Sequence, residues 1–239
     1  MSFYEEIADY YDFIFPLNRT QIDFVKGCIK EPYQSKSILD IGCSTGDLAI
    51  ALSDADFSVT AIDSDTGMIS KANKKIKNEK NVNFSCMDMR NIKNFFEANT
   101  FDSVLCFGNT LVHLTTLSEI EDFCRQARFV LRDNAKFLIQ ILNYDYILNH
   151  NITKLPLIEN NNISFERYYE YNKLISFKTI LTIKKSGKTI ENVIYLYPLR
   201  KQELGMILKN VGFRDVSYYG DFNKRALEEK SLPLVVEAS

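Results

Sequence analysis

The chain has 239 residues, of which 46% are hydrophobic and 25% charged, a globular composition that excludes a disordered or collagen-like protein. Its formal net charge of −2 provides no basic field for a phosphate backbone, so we predict no nucleic-acid partner. No segment approaches the roughly 18 apolar residues of a membrane span. The N-terminus lacks the basic start of a signal peptide. We therefore expect no membrane partner and a cytoplasmic location.

The five cysteines are widely spaced and lie within apolar runs, which is typical of reduced core thiols in a cytosolic protein. They are Cys28, Cys43, Cys86, Cys106 and Cys124. Their spacing does not match that of a zinc site, so we predict no bound metal.

Short apolar runs alternate with helical segments through the middle of the chain. Strands are predicted at 37–41, 58–62, 82–86, 101–107 and 135–142, with helices at 47–53, 65–78, 91–97 and 117–131. Because β and α segments alternate, we expect a mostly parallel, doubly wound sheet with helices on both faces.

The alternation of predicted strands and helices ends after Asn143. An asparagine-rich loop is predicted to residue 162, followed by strands at 163–171, 174–185 and 189–197, a helix at 201–211, a strand at 213–219 and a last apolar run at 232–237. The tight turns between the three long strands require them to be antiparallel. We therefore predict an antiparallel sheet inserted before the final helix and strands.

A glycine-containing turn follows the first predicted strand. The segment Asp40-Ile41-Gly42-Cys43-Ser44-Thr45-Gly46 leads directly into a helix. Glycines at such a turn let the backbone approach a ligand, and the helix N-terminus favours an anionic group.

Two common motifs match this turn poorly. Gly42 to Gly46 matches the nucleophile elbow of hydrolases with Ser44 as nucleophile, but only one strand precedes it and neither His113 nor His150 completes a late acid–histidine arrangement. The dinucleotide fingerprint requires glycine at position 47, where Asp47 would repel a pyrophosphate.

The position of Asp63 favours a third interpretation. Asp63 closes the second strand 21 positions beyond Gly42. At about this distance an acidic residue reaches a ribose hydroxyl in doubly wound nucleoside sites. A ribose without a pyrophosphate is thus indicated, and S-adenosylmethionine is a ligand of that kind.

These segments resemble the class I S-adenosylmethionine-dependent methyltransferases over about residues 36–143. The Asp40–Gly46 segment is similar to the family's acidic-x-Gly-x-Gly-x-Gly motif and departs from it at Ser44, where glycine is usual. The resemblance implies a Rossmann-like methyltransferase fold, here an α/β fold with a doubly wound, seven-stranded, mostly parallel sheet. It also implies S-adenosyl-L-methionine as cofactor.

The cofactor-binding residues that the resemblance implies come from several segments. They are Tyr11, Arg19, Asp40, Gly42, Ser44, Gly46, Asp63, Ser64, Met68, Asp88, Met89, Phe107 and Gly108. Asp63 corresponds to the ribose-binding acid and Asp88 to the acid near the adenine amino group. Each acid also has a structural alternative, because Asp40 could cap the turn and Asp63 or Asp88 could cap a helix.

The segment Gly108-Asn109-Thr110-Leu111-Val112-His113-Leu114 is similar to a stretch of glycine and sugar N-methyltransferase-like enzymes. This similarity makes Asn109 and His113 the candidate catalytic residues, with a purely structural His113 as the alternative. In the flanks, Tyr11 could reach the methionine carboxylate and Arg19 could supply its counter-charge, or the N-terminal arm could simply pack on the core.

Tyrosine is absent from residues 34–143 and concentrated in the flanks, which suggests that some flanking aromatics build a substrate lid. The aromatics predicted on or beside the inserted strands are Phe165, Tyr168, Tyr169, Tyr171, Tyr195 and Tyr197. Arg167 and Arg200 are the cationic candidates for an acidic group of the substrate.

We therefore expect four parts: a helical arm (1–35), a cofactor-binding core (36–143), an antiparallel lid (144–199) and the final core elements (200–239). The expected function is methyl transfer to a small-molecule acceptor, with an amine preferred. The alternatives are a protein or peptide methyltransferase and an inactive cofactor-binding protein.

Overall fold

The structure, a computed structural model, describes residues 7–32, 36–76 and 81–239. Its main sheet contains β1 (Ser37–Ile41), β2 (Ser58–Asp63), β3 (Val82–Cys86), β4 (Phe101–Cys106), β5 (Leu131–Leu142), β10 (Val216–Tyr219) and β11 (Pro233–Ala238). The seven strands lie in the order β10-β11-β5-β4-β1-β2-β3. Neighbours from β5 to β3 are parallel, and β11 runs antiparallel to both β5 and β10.

The α-helices are α1 (Tyr11–Ile14), α2 (Arg19–Cys28), α3 (Asp47–Asp54), α4 (Thr66–Lys75), α5 (Leu117–Val130), α6 (Tyr144–Asn149) and α7 (Lys201–Asn210). Two short 3-10 helices span Met89–Asn94 and Thr110–His113. Alternate residues of β1 enter different cores, since Ile38 packs with residues of α2 and α3, and Leu39 with residues of α5 and α7. The sheet is therefore covered on both faces.

The second sheet joins β6 (Ile158–Glu159), β7 (Ile163–Tyr171), β8 (Ile175–Ile183) and β9 (Thr189–Leu196) in that order, all antiparallel. Its inner face packs partly on the core sheet and partly on the N-terminal arm. Ile163 and Phe165 share a cluster with Ile7, Ile14 and Met68 of the arm and of α4. The inserted sheet and the arm thus meet over the edge of the main sheet where β1 and β4 end.

The predicted α/β fold, with a mostly parallel seven-stranded sheet and an antiparallel insertion, is confirmed. The prediction of a plain loop after Asn143 is wrong, because α6 and β6 lie there. Asn143 caps α6 through Tyr146 N–H, and Tyr144 is fully buried. Burial of this aromatic anchors a helix that the polar asparagines around it concealed.

Three smaller predictions also need correction. The predicted helix at 91–97 is the 3-10 helix Met89–Asn94, and β5 begins at Leu131 rather than at 135. Cys86 is exposed at the end of β3, whereas the other four cysteines are buried as predicted. The last two residues of the helix predicted at 65–78, and residues 1–6 and 33–35 of the predicted arm, lie outside the described residues.

No helix within the described ranges is long and apolar enough to cross a membrane.

Candidate functional site

The turn after β1 has the backbone conformation that its glycines allow. Gly42 has φ +71° and Gly46 has φ +83°, in the left-handed region. A Cβ at Gly46 would lie 2.5 Å from Phe84 and 2.9 Å from Ala72, so this glycine permits close packing of the turn on α4 and β3. Ser44 also has a positive φ of 47°, the conformation for which the family motif uses glycine.

Asp63 is tied to this turn at the end of β2. Its carboxylate accepts hydrogen bonds from Ser44 N–H and Asp65 N–H, both at 2.9 Å. Asp65, not Asp63, caps α4 by accepting from Met68 N–H at 3.0 Å. Burial raises the pKa of Asp63, while the two backbone N–H groups oppose the shift.

Asp40, near the end of β1, is a buried acid with a different environment. It is 3% exposed, and among the described residues no side chain or N–H group hydrogen-bonds to its carboxyl group. Burial, with the nearby charge of Asp63, raises its pKa to about 7 from an ordinary 3.8. An acid in this state would be stabilised by a cationic ligand.

The loop after β4 is held in place by β5. Gly108 N–H donates to the Gln140 side chain at 2.9 Å, and Asn109 N–H donates to the Gln140 carbonyl at 3.1 Å. The Asn109 side chain accepts from Leu142 N–H at 2.9 Å and donates to the Tyr144 hydroxyl at 3.1 Å. No atom lies within 4 Å of the position where a Cβ of Gly108 would point. The backbone there is open to a ligand.

These segments line a cavity of about 720 Å³ between the main sheet, the arm and the inserted sheet. It lies where β1 and β4 end, and β1 pairs with β2 on one side and with β4 on the other. This is the switch point at which doubly wound sheets bind ligands. Its lining includes aromatic residues from all three parts, namely Tyr11, Phe15, Phe107, Phe165, Tyr169, Phe177 and Phe222.

Burial shifts the pKa values of two titratable side chains in the lining toward their neutral forms. Burial lowers the pKa of His113 to about 4, so its imidazole is uncharged near neutral pH. Burial likewise raises the pKa of the Tyr11 hydroxyl to about 12, although a hydrogen bond with Ser44 acts in the opposite direction. Both groups therefore offer hydrogen bonds rather than charge.

The structure brings part of the predicted site together in this cavity. The predicted residues that line it are Tyr11, Asp40, Gly42, Ser44, Phe107, Gly108, Asn109 and His113. Those outside its lining are Arg19, Gly46, Asp63, Ser64, Met68, Asp88 and Met89. Gly46 instead allows the turn to pack on α4 and β3, and Asp63 accepts a hydrogen bond from Ser44 N–H of the turn.

The remaining predicted residues have other contacts. Asp88 caps the 3-10 helix through Arg90 N–H at 2.9 Å and pairs with the Arg90 guanidinium at 2.6 Å, which lowers the pKa of Asp88. Met68 is buried under the arm, and Met89 packs on the core. Ser64 and Arg19 are exposed.

Several lining residues escaped the sequence analysis, including Asn18, Gln21, Gln140, Asp221 and Asn223. They come from the start of α2, from β5 and from the loop between β10 and β11, with no common motif, so only the folded chain brings them together. The side-chain contact between Asn109 and Tyr144 was also unforeseen.

Comparison with known proteins identifies the family. The model of the family described as "Methyltransferase domain" matches residues 38–134. A carboxy-S-adenosyl-L-methionine synthase of Helicobacter pylori (strain J99 / ATCC 700824) is 31% identical over 205 residues, covering 81% of this chain and 75% of that protein. The chain belongs to the class I S-adenosylmethionine-dependent methyltransferase family.

Two further relatives of this methyltransferase are informative. A glycine/sarcosine N-methyltransferase of Aphanothece halophytica is 26% identical over 204 residues, covering 84% of this chain and 74% of that protein. The solved structure of the CcbJ methyltransferase from Streptomyces caelestis has a TM-score of 0.81 at 21% identity, covering 98% of this chain and 96% of that one. The fold therefore extends over the insertion as well as the core.

The methyltransferase uses S-adenosylmethionine as cofactor, and its cavity suits this ligand. The unpaired buried carboxyl of Asp40 would complement the ammonium of the cofactor. The open backbone at Gly108 leaves room for close approach. These features are present where the turn after β1 meets the loop after β4.

Proposed function

We propose that this methyltransferase transfers the methyl group to the nitrogen of a small-molecule amine bound between the main sheet and the inserted sheet. The observation that carries the proposal is the cavity of about 720 Å³, which the inserted sheet covers and whose lining includes the turn after β1, Gly108 and His113. Its volume is in the range of small-molecule sites. A peptide acceptor would require a longer, more open groove.

Residues of the core would hold the cofactor. In this proposal Asp40 binds the ammonium, Asp63 accepts from the ribose hydroxyls, and the backbone of Gly42 lies against the cofactor. The proposed roles of Asp88 and Met89 at the adenine require Asp88 to exchange part of its contact with Arg90. When bound, the cofactor supplies a methyl group on a positively charged sulfur.

The chain's own residues would place and desolvate the acceptor. Methyl transfer needs the amine lone pair in line with the methyl–sulfur bond, so positioning is the main requirement. A largely apolar, aromatic cavity favours the uncharged amine, which is the reactive form. Neutral His113 would accept a hydrogen bond from the amine N–H and so aim the lone pair. Asn109 would act indirectly, by fixing the loop through Leu142 and Tyr144.

One of the relatives supports nitrogen as the acceptor atom, whereas the carboxy-S-adenosyl-L-methionine synthase does not bear on it. The glycine/sarcosine N-methyltransferase matches 84% of this chain. A sugar N-methyltransferase, KedS8 from Streptoalloteichus, shares the fold with a TM-score of 0.64 at 13% identity.

The test is to incubate the protein with S-adenosylmethionine carrying a labelled methyl group and a panel of small amines and peptides. Mass spectrometry of both products should show a methylated amine together with S-adenosylhomocysteine. Labelled peptides with no labelled amine would refute the proposal, as would a cofactor product that has gained a carboxyl group. Cofactor binding without turnover on the whole panel would favour a catalytically inactive protein.

The ribose role of Asp63 is tested separately. Calorimetry with S-adenosylhomocysteine should show a large loss of affinity in Asp63→Ala relative to Asp56→Asn, which changes an exposed acid. Equal affinity in the two variants would remove Asp63 from the cofactor site.

A further inference from the structure

A row of polar residues crosses the otherwise apolar inner face of the inserted sheet. Arg167 of β7 is directly opposite Thr179 of β8, which is directly opposite Asn192 of β9. Directly opposed residues project from the same face of an antiparallel sheet. The rows on either side are aromatic or aliphatic, with Phe165 on one side of Arg167 and Tyr169 on the other.

Each residue of this row has one buried polar atom without a hydrogen-bond partner among the described residues. In the part of the chain that the structure describes, five buried side-chain nitrogen or oxygen atoms have none. One belongs to Ser53 in α3. The other four are Arg167 Nε, Thr179 Oγ1, Asn192 Nδ2 and Tyr169 Oη, all on the inner face of the inserted sheet, and the Tyr169 hydroxyl interacts with the nearby hydroxyl of Tyr144. Buried polar groups are nearly always paired, and of these four residues Arg167 and Tyr169 line the cavity, where a polar ligand would reach them.

Arg167 carries the only charge in the row. Its Nη2 donates to the Pro156 carbonyl at 2.7 Å, and its guanidinium lies 6.0 Å from the centre of the Phe165 ring. No carboxylate among the described residues pairs with it, and burial lowers its pKa. By contrast, Arg200, the other cationic candidate, is paired with Asp145 at 3.1 Å outside the cavity.

Arg167 is half-buried, and burying part of a cation without an anionic partner is costly to a folded protein. Arg167 and Tyr169 both line the cavity that the proposed acceptor would occupy. The guanidinium offers a planar fork of N–H donors that matches a carboxylate, and Tyr169 offers an additional hydroxyl close by.

We propose that the acceptor is an amine that also carries a carboxylate, and that Arg167 and Tyr169 bind this carboxylate on the inner face of the inserted sheet. This proposal rests on the proposed amine methylation. The amine would then extend from the inserted sheet toward Asn109 and His113 on the main sheet. Thr179 and Asn192 would complete the polar row around the guanidinium. A single cation matches a singly charged carboxylate better than a doubly charged phosphate.

The first test measures binding and needs no turnover. The protein is loaded with S-adenosylhomocysteine, which occupies the cofactor's own carboxylate site, and NMR follows a titration with propionate or with neutral propionamide. We expect propionate to bind and propionamide to bind at least tenfold more weakly. Arg167→Met should lose at least tenfold of the propionate affinity, and Arg167→Lys should lose less. Arg125→Met, which removes an exposed arginine of α5, should behave like the unaltered protein.

Three outcomes would overturn the proposal: equal binding of propionate and propionamide, equal propionate affinity in Arg167→Met and Arg125→Met, or a loss of S-adenosylhomocysteine affinity in Arg167→Met. The last outcome would assign Arg167 to the carboxylate of the cofactor. A melting curve for each variant establishes that it is folded. Absence of amine methylation would refute the proposed function but not the carboxylate site, so the two failures are distinguishable.

The second test compares each amino acid with the amine formed by its decarboxylation. We expect kcat/KM at least 100-fold higher for the amino acid, and we expect Arg167→Met to abolish this preference by lowering kcat/KM for the amino acid. Arg125→Met, which changes an exposed arginine of α5, should keep the preference. A preference that survives in Arg167→Met would contradict the assignment.

Discussion

The two walls of the cavity, the main sheet and the inserted sheet, differ in how their polar groups are hydrogen-bonded. On the main-sheet side, Asn109 in the cavity lining and Asp63 outside it accept hydrogen bonds from backbone N–H groups at 2.9 Å. On the inserted-sheet side, Arg167 in the lining and Thr179 and Asn192 outside it each have a buried polar atom without a partner among the described residues. The protein's own hydrogen bonds therefore fix the polar groups of the main-sheet side more completely than those of the inserted sheet.

Each wall also carries an ionisable side chain that forms no ion pair with the described residues, buried Asp40 on one and half-buried Arg167 on the other, and their charged forms have opposite signs. Asp40 lies on the main sheet and Arg167 on the inserted sheet. We infer that each charge is reserved for a different ligand: the ammonium of the cofactor for Asp40, and a carboxylate of the acceptor for Arg167. The following predictions test that division.

The largest effect is expected from Asp40→Asn. Replacing the carboxylate should weaken S-adenosylhomocysteine binding about 100-fold, because a buried charge-assisted contact is worth about 1.5–3 kcal/mol. Calorimetry measures the change, with Asp56→Asn as the control for the same substitution on the surface. An affinity within about threefold of the unaltered protein would mean that Asp40 does not meet the ammonium.

The pH dependence of cofactor binding should follow Asp40. Because its pKa is about 7 in the folded protein against an ordinary 3.8, the free protein must lose a proton before it binds a cation well. Affinity should rise with pH, by up to about tenfold per unit, and level off above pH 7. Asp40→Asn should remove most of this dependence. A profile unchanged by the substitution would assign the titration to another group.

The raised pKa of Asp40 should also make the free energy of unfolding fall as pH rises, whereas affinity for the cofactor product rises. The folded protein retains a proton that the unfolded chain has lost, so this contribution is fully present below pH 3.8 and is lost as pH rises to about 7. Asp40→Asn should therefore flatten the fall in the free energy of unfolding over that interval. Urea titrations of both proteins without cofactor measure it.

Arg167→Met should have an intermediate effect, on stability without ligand. Removing an unpaired buried charge offsets the loss of its bond to Pro156, so the free energy of unfolding should stay the same or rise by about 1 kcal/mol. Arg200→Met should instead lower it by up to about 1 kcal/mol, since it breaks a partly exposed ion pair with Asp145. Urea unfolding compares the two. A loss above about 2 kcal/mol in Arg167→Met would indicate that Arg167 is mainly structural.

The smallest effect should come from the arm that closes the cavity beside both walls. Lys75 pairs with Asp12 of the arm and Asp47 of α3, both at 2.6 Å, and Lys71 pairs with Asp9. Because these pairs are partly exposed, Lys75→Met should cost less than about 1 kcal/mol and speed S-adenosylhomocysteine release only a few-fold. Stopped-flow measures the release. Lys184→Met, which loses only its pair with Glu159, should leave it unchanged.

The main-sheet wall was largely predictable because its signals are local. A strand, a glycine turn and a helix in succession fix the position of Gly42, and the parallel register brings the end of β2 beside it. Asp40, Gly108 and His113 were predicted from the family resemblance of such local segments, and all three line the cavity. The contacts of Asp88 and Met68 are harder to predict from sequence, because other parts of the chain can bind the same side chains. In the structure Asp88 pairs with Arg90, and Met68 packs under the N-terminal arm.

The inserted-sheet wall was only partly predictable. Strand alternation suggested which aromatics could form a lid but left Arg167 and Arg200 equivalent. The structure separates them, because Arg200 begins α7 beside Asp145 whereas Arg167 lines the cavity. Asn18, Gln140 and Asp221 had no motif and reached the cavity only through folding.

The sequence by itself determined the family, the cofactor and the turn that approaches it, because these depend on residues close together in the chain and on the regular spacing of βα units. Only the tertiary structure decided that Arg167, Thr179 and Asn192 form one row with unpaired atoms. Such a row depends on the register of three strands and on what packs over them. A charge without a partner points to a ligand site only where it is removed from water, and the extent of that burial is a property of the folded chain alone.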